Sequence, residues 1–142
     1  EIGISRITVY SYLSFLKETY FIRFLSPFSL NVNREISGTK KVYFCDHGIV
    51  NQFARVDEAR LFENCVFNNL RKFGKINYYQ KRSGAEIDFV LNDRIGVEVK
   101  VRGLERNLWK LNKICKKIGL NEFYVISKQY VEKSNFIPAT DI

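Results

Sequence analysis

Glu86-Ile-Asp88-Phe-Val-Leu91, the turn Asn92-Asp93-Arg94 and Ile95-Gly-Val-Glu98-Val-Lys100-Val101 form the stretch whose reading decides the fold. Two apolar-polar alternating runs around a short polar turn predict a hairpin. Alternation puts Ile87, Phe89 and Leu91 on one face of the first strand and Glu86, Asp88 and Val90 on the other. In the second strand Val97, Val99 and Val101 share a face, and Glu98 and Lys100 share the opposite one. The apolar sets belong against a core, so the charged sets are expected to lie together. A hairpin symmetric about Asp93 sets Asp88 opposite Glu98 and Glu86 opposite Lys100.

That register has an electrostatic consequence. Carboxylates roughly 4.5–5.5 Å apart repel by roughly 3 kcal/mol at an effective dielectric of about 20. A divalent cation compensates this, and hard oxygen ligands suit Mg²⁺ or Mn²⁺. Asp88 and Glu98 are therefore the expected metal ligands, with the Val99 carbonyl as a possible further one. Lys100 would orient or deprotonate a water, or stabilise developing charge. The chemistry expected is metal-assisted phosphodiester hydrolysis. The competing reading is a hairpin with a merely polar face, in which Glu86 and Lys100 form a cross-strand ion pair.

Upstream, residues from about Asp57 to Phe73 carry helical periodicity, with Leu61, Phe62, Cys65, Val66, Leu70 and Phe73 as the apolar positions. Glu63 precedes Val66, Phe67 and Leu70 by three, four and seven residues, so it points near the buried side. It would complete the metal site or its surroundings; the alternative is a partly exposed glutamate at the helix border. Ile76–Gln80 reads as a strand before the hairpin. Leu104–Ile118 reads as a helix and Asn121–Ser127 as a fourth strand. Three antiparallel strands, a crossover helix and a further strand predict an α/β sandwich.

The first third has a different order. Ser5–Glu18 predicts a helix with Val9, Leu13 and Leu16 as its stripe. Tyr20–Leu25 predicts a strand, 31–38 a polar tip, Lys41–Cys45 a returning strand and Asp46–Gly48 a turn. Helix, strand, tip, strand is the order of a winged helix-turn-helix. Arg34, Lys40 and Lys41 at the tip are candidate phosphate contacts, or ordinary solvated residues.

The net charge of +8 suits an anionic partner. Residues 1–56 carry 7 basic and 4 acidic groups, and residues 57–142 carry 16 and 11. Lys110 and Lys113, on the basic side of the helix after the hairpin, are further candidate DNA contacts. Three scattered cysteines without a CxxC argue against a disulfide framework or zinc site and for a reducing cytoplasm. His47, the one histidine, has no clustered partner. No apolar run approaches membrane-spanning length, so no membrane association is expected. With no methionine anywhere, and first residues that read as the middle of a motif, a fragment of a longer protein is expected.

The set Lys41-Val-Tyr-Phe-Cys-Asp46-His-Gly48, Leu61-Phe-Glu63-Asn64, Tyr79, Gly84-Ala-Glu86-Ile-Asp88-Phe and Glu98-Val-Lys100 resembles the DUF4143 region of archaeal and bacterial AAA-type ATPases. Gly3-Ile-Ser, Thr8-Val9, Tyr12-Leu13, Leu16 and Tyr20-Phe-Ile resemble the second half of its winged helix, so the resemblance extends over nearly the whole chain. It implies a partial winged helix at 1–56 and a restriction-endonuclease-like PD-(D/E)XK domain at 57–142. Glu63, Asp88, Glu98 and Lys100 match the catalytic positions, with Ile87 where the family motif has proline. An ATPase module of the same full-length chain is the implied partner. ATP would bind only there, since no GxxxxGK[ST] occurs here. Three functions compete: a Mg²⁺-dependent DNA nuclease domain, a non-catalytic nucleic-acid-binding module directing the ATPase, and a protein-interaction module that kept only the fold.

Overall fold

The computed structural model describes residues 3–29, 32–53, 55–81 and 83–142. The N-terminal elements are α1 (Arg6–Glu18), β1 (Ile22–Leu25), α2 (Val32–Ser37), β2 (Lys41–Phe44) and α3 (His47–Phe53). α1 begins where Ser5 accepts the Thr8 backbone N–H, as an N-cap does. Leu13 and Leu16 are half-buried, but α1 buries no residue fully, and Ile7, Tyr10, Tyr12 and Phe15 stand exposed. β1 and β2 pair antiparallel, Ile22 with Phe44 through Leu25 with Lys41.

Two expectations fail in this part. The connection foreseen as a polar tip contains helix α2, and Asp46–Gly48 opens helix α3 instead of a simple turn. In the second case Asp46 accepts the Gly48 N–H at 2.7 Å, which starts the helical turn locally. The side chains of Arg34 and His47 lie outside the described residues.

The larger unit starts with α4 (Glu58–Leu70), capped by Asp57, and a short 3₁₀ turn at Arg71–Phe73. β3 (Ile76–Gln80), β4 (Glu86–Leu91) and β5 (Ile95–Lys100) follow in antiparallel succession. α5 (Glu105–Ile118) crosses over to β6 (Glu122–Ser127), parallel to β5. Its last turn closes at Gly119, whose φ of 81° favours glycine. β7 (Phe136–Pro138), not foreseen, adds a second parallel pairing, giving a five-stranded sheet in the order β3-β4-β5-β6-β7.

Both sheet faces are covered. On one side Phe62, Val66, Phe67 and Leu70 of α4 pack with Phe89, Val97, Val99, Leu25 and Tyr43. On the other Leu111 and Cys115 of α5 pack with Ile87, Val90, Val125 and Phe136. The chain is thus a mixed α/β protein with its sheet between helices. No helix among the described residues is long and apolar enough to cross a membrane.

The hairpin of β1 and β2 docks on α4. The buried Asn64 accepts the Phe44 N–H at 2.8 Å and donates to the Phe44 carbonyl at 3.0 Å; Asn68 donates to the same carbonyl at 2.9 Å. Tyr43 stacks on Phe67 with ring centroids 4.3 Å apart. These contacts bring a strand from the N-terminal part to Glu63.

Candidate functional site

The β4–β5 register is the one expected: Phe89 pairs with Val97, Val90 with Gly96 and Leu91 with Ile95. The alternation along β4 is not. Between the pairs Asn77–Val90 and Tyr79–Ile87, β3 advances two residues and β4 three. This is a bulge at Asp88–Phe89. It turns Ile87 into the α5 core with Val90, while Phe89 stays in the α4 core. A bulge bends a strand and re-aims a side chain, which periodicity in one strand does not show.

Asp88 uses that freedom. Its Oδ2 accepts the Val99 backbone N–H at 2.8 Å, so a side chain replaces a strand carbonyl beyond the Phe89–Val97 pair, where the β4–β5 ladder has ended. The expected head-on pairing of Asp88 with Glu98 is therefore replaced by a contact one residue further along β5. The expected Glu86–Lys100 pair does not form either. Glu86 faces the N-terminal hairpin and receives Lys41 Nζ at 2.6 Å. Lys100 Nζ lies 2.7 Å from Glu98 Oε1 and 3.7 Å from Asp88 Oδ2.

Glu63 joins from α4. It is half-buried, and its Oε1 accepts the Tyr43 hydroxyl at 2.5 Å. Four carboxylates (Glu63, Glu86, Asp88, Glu98) and two ammoniums (Lys41, Lys100) thus act on one another. Burial pushes the Glu98 carboxyl up to about 7, and the Asp88 charge adds to this against the pull of Lys100. Burial also raises Glu63; the Tyr43 hydrogen bond opposes it, and the Asp88 charge reinforces it. For Lys100, burial works against the charged form, but Asp88 and Glu98 outweigh it and hold the ammonium above its ordinary value. Lys41 behaves likewise, through Glu86 and Glu63. Tyr43, raised by burial and by Glu63, remains a protonated donor.

Asp88 and Glu98 are the residues of the cluster that could hold a metal ion. Mg²⁺ is commonly held by one or two carboxylates plus waters and phosphate oxygens, a number these two could supply. Among the described residues no group of three or more His, Cys, Asp or Glu side chains is placed to hold a metal. Glu63 is engaged by Tyr43.

The expected basic contacts are dispersed. Lys41 sits within the carboxylate cluster, because β2 carries it over Glu86 and the Tyr78 ring. Lys40 is exposed beside it. Lys110 and Lys113 are exposed on α5, Lys113 5.2 Å above the Trp109 ring. Arg34 lies outside the described side chains. Tyr43 and Glu86 were not foreseen as members of the site. Their signals are present: a tyrosine hydroxyl brought into a core needs a partner, and Glu86 stands two residues before Asp88.

Residues 58–140 match the family described as DUF4143, a domain of unknown function. The chain belongs to that family. Residues 1–60 match a second domain of unknown function, DUF8612, so the DUF4143 resemblance holds for the C-terminal part and not for nearly the whole chain. The uncharacterized protein MJ1544 of Methanocaldococcus jannaschii is 35% identical over 95 residues, covering 62% of this chain and 21% of that relative. The chain thus spans about a fifth of the relative it matches. No solved structure matches it. In this DUF4143 member, Glu63, Glu86, Asp88, Glu98 and Lys100 fall within the matched segment, and Lys41 and Tyr43 fall before it.

Proposed function

We propose that this DUF4143 member is the DNA-binding, Mg²⁺-dependent nuclease-like part of a longer protein, with a PD-(D/E)XK-type site following a partial winged helix and with an ATPase module elsewhere in that longer protein. The observation that carries the reading is the bulge-directed Asp88 beside Glu98, with Lys100 reaching both. Such a carboxylate pair with a neighbouring cation suits phosphodiester hydrolysis better than it suits fold stability, since an apolar replacement avoids the desolvation of buried charges.

Asp88 and Glu98 would hold the ion, which when bound supplies Lewis-acid polarisation of a phosphate and a more acidic water. Asp88 is held in place by the Val99 N–H. Lys100 is held cationic by its acidic neighbours. A cationic lysine favours stabilising the negative charge of the transition state over abstracting a proton. Glu63, held by Tyr43, adds its charge to the potential felt by Asp88 and Lys100.

One observation favours a second reading. Lys100 and Lys41 already neutralise much of the cluster from within, as they would in a non-catalytic nucleic-acid-binding module. Incubation with plasmid, single-stranded and branched DNA in Mg²⁺ or Mn²⁺ separates the two. Cleavage lost in Asp88→Ala and Lys100→Ala is expected; no cleavage of any substrate, or cleavage indifferent to both substitutions, leaves the second reading.

A further inference from the structure

A second polar site lies at the other end of the hairpin's docked face. β1 pairs Arg23 with Tyr43 and Leu25 with Lys41, so all four share one side of the hairpin. Lys41 and Tyr43 reach the carboxylates. Arg23 instead lines a cleft of about 680 Å³ between the end of α1, the hairpin and the end of α4.

The cleft is strongly cationic. Lys17, Arg23, Lys40 and Arg71 line it, against Glu18 as the one acid among them. Among the described residues none of those four cations is within ion-pair distance of an acid. Arg23 Nε is buried and has no hydrogen-bond partner. Buried donors are nearly always satisfied, so an orphan in a cleft of like charges points to an anion.

Tyr20 supplies an independent observation. It ends α1 with φ of 58°, its N–H bonded to the Lys17 carbonyl and the Phe21 N–H to the Leu16 carbonyl. Glycine normally fills this left-handed position, and a bulky residue there is strained. Burial does not compensate the strain, since Tyr20 is 72% exposed. Its ring stands at the cleft, 5.9 Å from the Arg23 guanidinium carbon. An exposed aromatic held beside a basic groove is the arrangement that takes an unstacked base next to its phosphate.

We propose that this cleft binds single-stranded nucleic acid, its cations taking a backbone phosphate and Tyr20 stacking a base. The site is separate from the carboxylate cluster and requires no divalent ion.

The test is anisotropy of a labelled oligothymidylate with the chain in EDTA. Arg23→Gln and Arg71→Gln should each weaken binding about tenfold and reduce the salt slope by about 0.7 per lost phosphate contact. Tyr20→Gly should weaken binding about tenfold while leaving the melting temperature equal or higher, because it relieves strain. A purely structural Tyr20 gives the opposite pattern, intact binding with a lowered melting temperature. Arg60→Gln, on an exposed surface ion pair, serves as control. Should Arg23→Gln fail to fold, Arg23→Lys and the exposed-rim Lys40→Gln carry the same test. Affinity unchanged by these substitutions, no binding of oligonucleotide, or tighter binding of duplex than of single strand overturns the proposal. Competition by inorganic phosphate without oligonucleotide binding assigns the cleft to free phosphate and overturns the nucleic-acid assignment. Intact binding with no cleavage in Mg²⁺ removes the proposed hydrolysis and leaves this site standing.

Discussion

Asp88 holds the backbone N–H of Val99 at 2.8 Å, so a carboxylate proposed for metal binding also closes a gap in the sheet. The two roles are separable. Asp88→Asn keeps an acceptor for that N–H, whereas Asp88→Ala leaves it bare beside a fully buried Phe89. The alanine variant should lose about 1–3 kcal/mol more stability than the asparagine variant. Both should lose Mn²⁺ binding. Urea denaturation with Mn²⁺ titration checks this, and equal stability of the two variants would refute the structural role.

Glu98 makes the site pH-sensitive. Its carboxyl is raised from 4.5 to about 7 in the fold, by burial first and by Asp88 second. A raised carboxyl contributes stability that is complete below its unfolded value and is lost as pH rises through the folded one. The metal-free chain should therefore lose this contribution between 4.5 and about 7. Subtracting the melting curve of Glu98→Gln isolates the effect. Divalent-ion affinity should climb over the upper part of the same window, since the ion competes with a proton. Affinity independent of pH there removes Glu98 as a ligand.

Lys41 and Glu86, 2.6 Å apart, are separated by 45 positions in sequence. Their side chains are 28% and 38% exposed, less than those of typical surface pairs. A double-mutant cycle with Lys41→Met and Glu86→Gln should return a coupling of about 1–2 kcal/mol, above the roughly 0.2–1 kcal/mol of exposed pairs. Lys41→Met alone should strengthen Mn²⁺ binding, because it removes a positive charge from the carboxylates. Weaker binding would contradict the placement of Lys41.

Gly96 tests the packing behind the site. A methyl group there would stand 2.3 Å from Cys115 Sγ, a contact that forces β5 and α5 apart. Gly96→Ala should cost about 1–3 kcal/mol, read as a lower denaturation midpoint. Adding Cys115→Gly should return part of it.

The β4–β5 hairpin was legible because its strands and its turn obey local rules. Alternating valines at 97, 99 and 101 mark β5, and Asn92 and Asp93 tolerate the positive φ of the turn. Glu63 was legible from its spacing to Val66 and Leu70. The bulge at Asp88 was not, because its signal lies in the offset against β3 and not in β4 itself. Lys41 was read as a tip residue because partners 45 residues away leave no trace in local periodicity. β7 was missed because three residues, one of them Pro138, are too few to show alternation. α2 was missed because Asn33, Glu35 and Ser37 read as polar loop.

The Asn64 clamp on Phe44 has an evolutionary consequence. The two families meet at residues 58–60, yet the charge balance of the carboxylates is drawn from both sides of that seam. A C-terminal half transferred to another N-terminal partner would keep its acids and lose the Lys41 ammonium and the Tyr43 hydroxyl. Recombination at the seam is therefore constrained by electrostatics: an exchanged hairpin must bring its own cation and donor, or the acidic half must change with it.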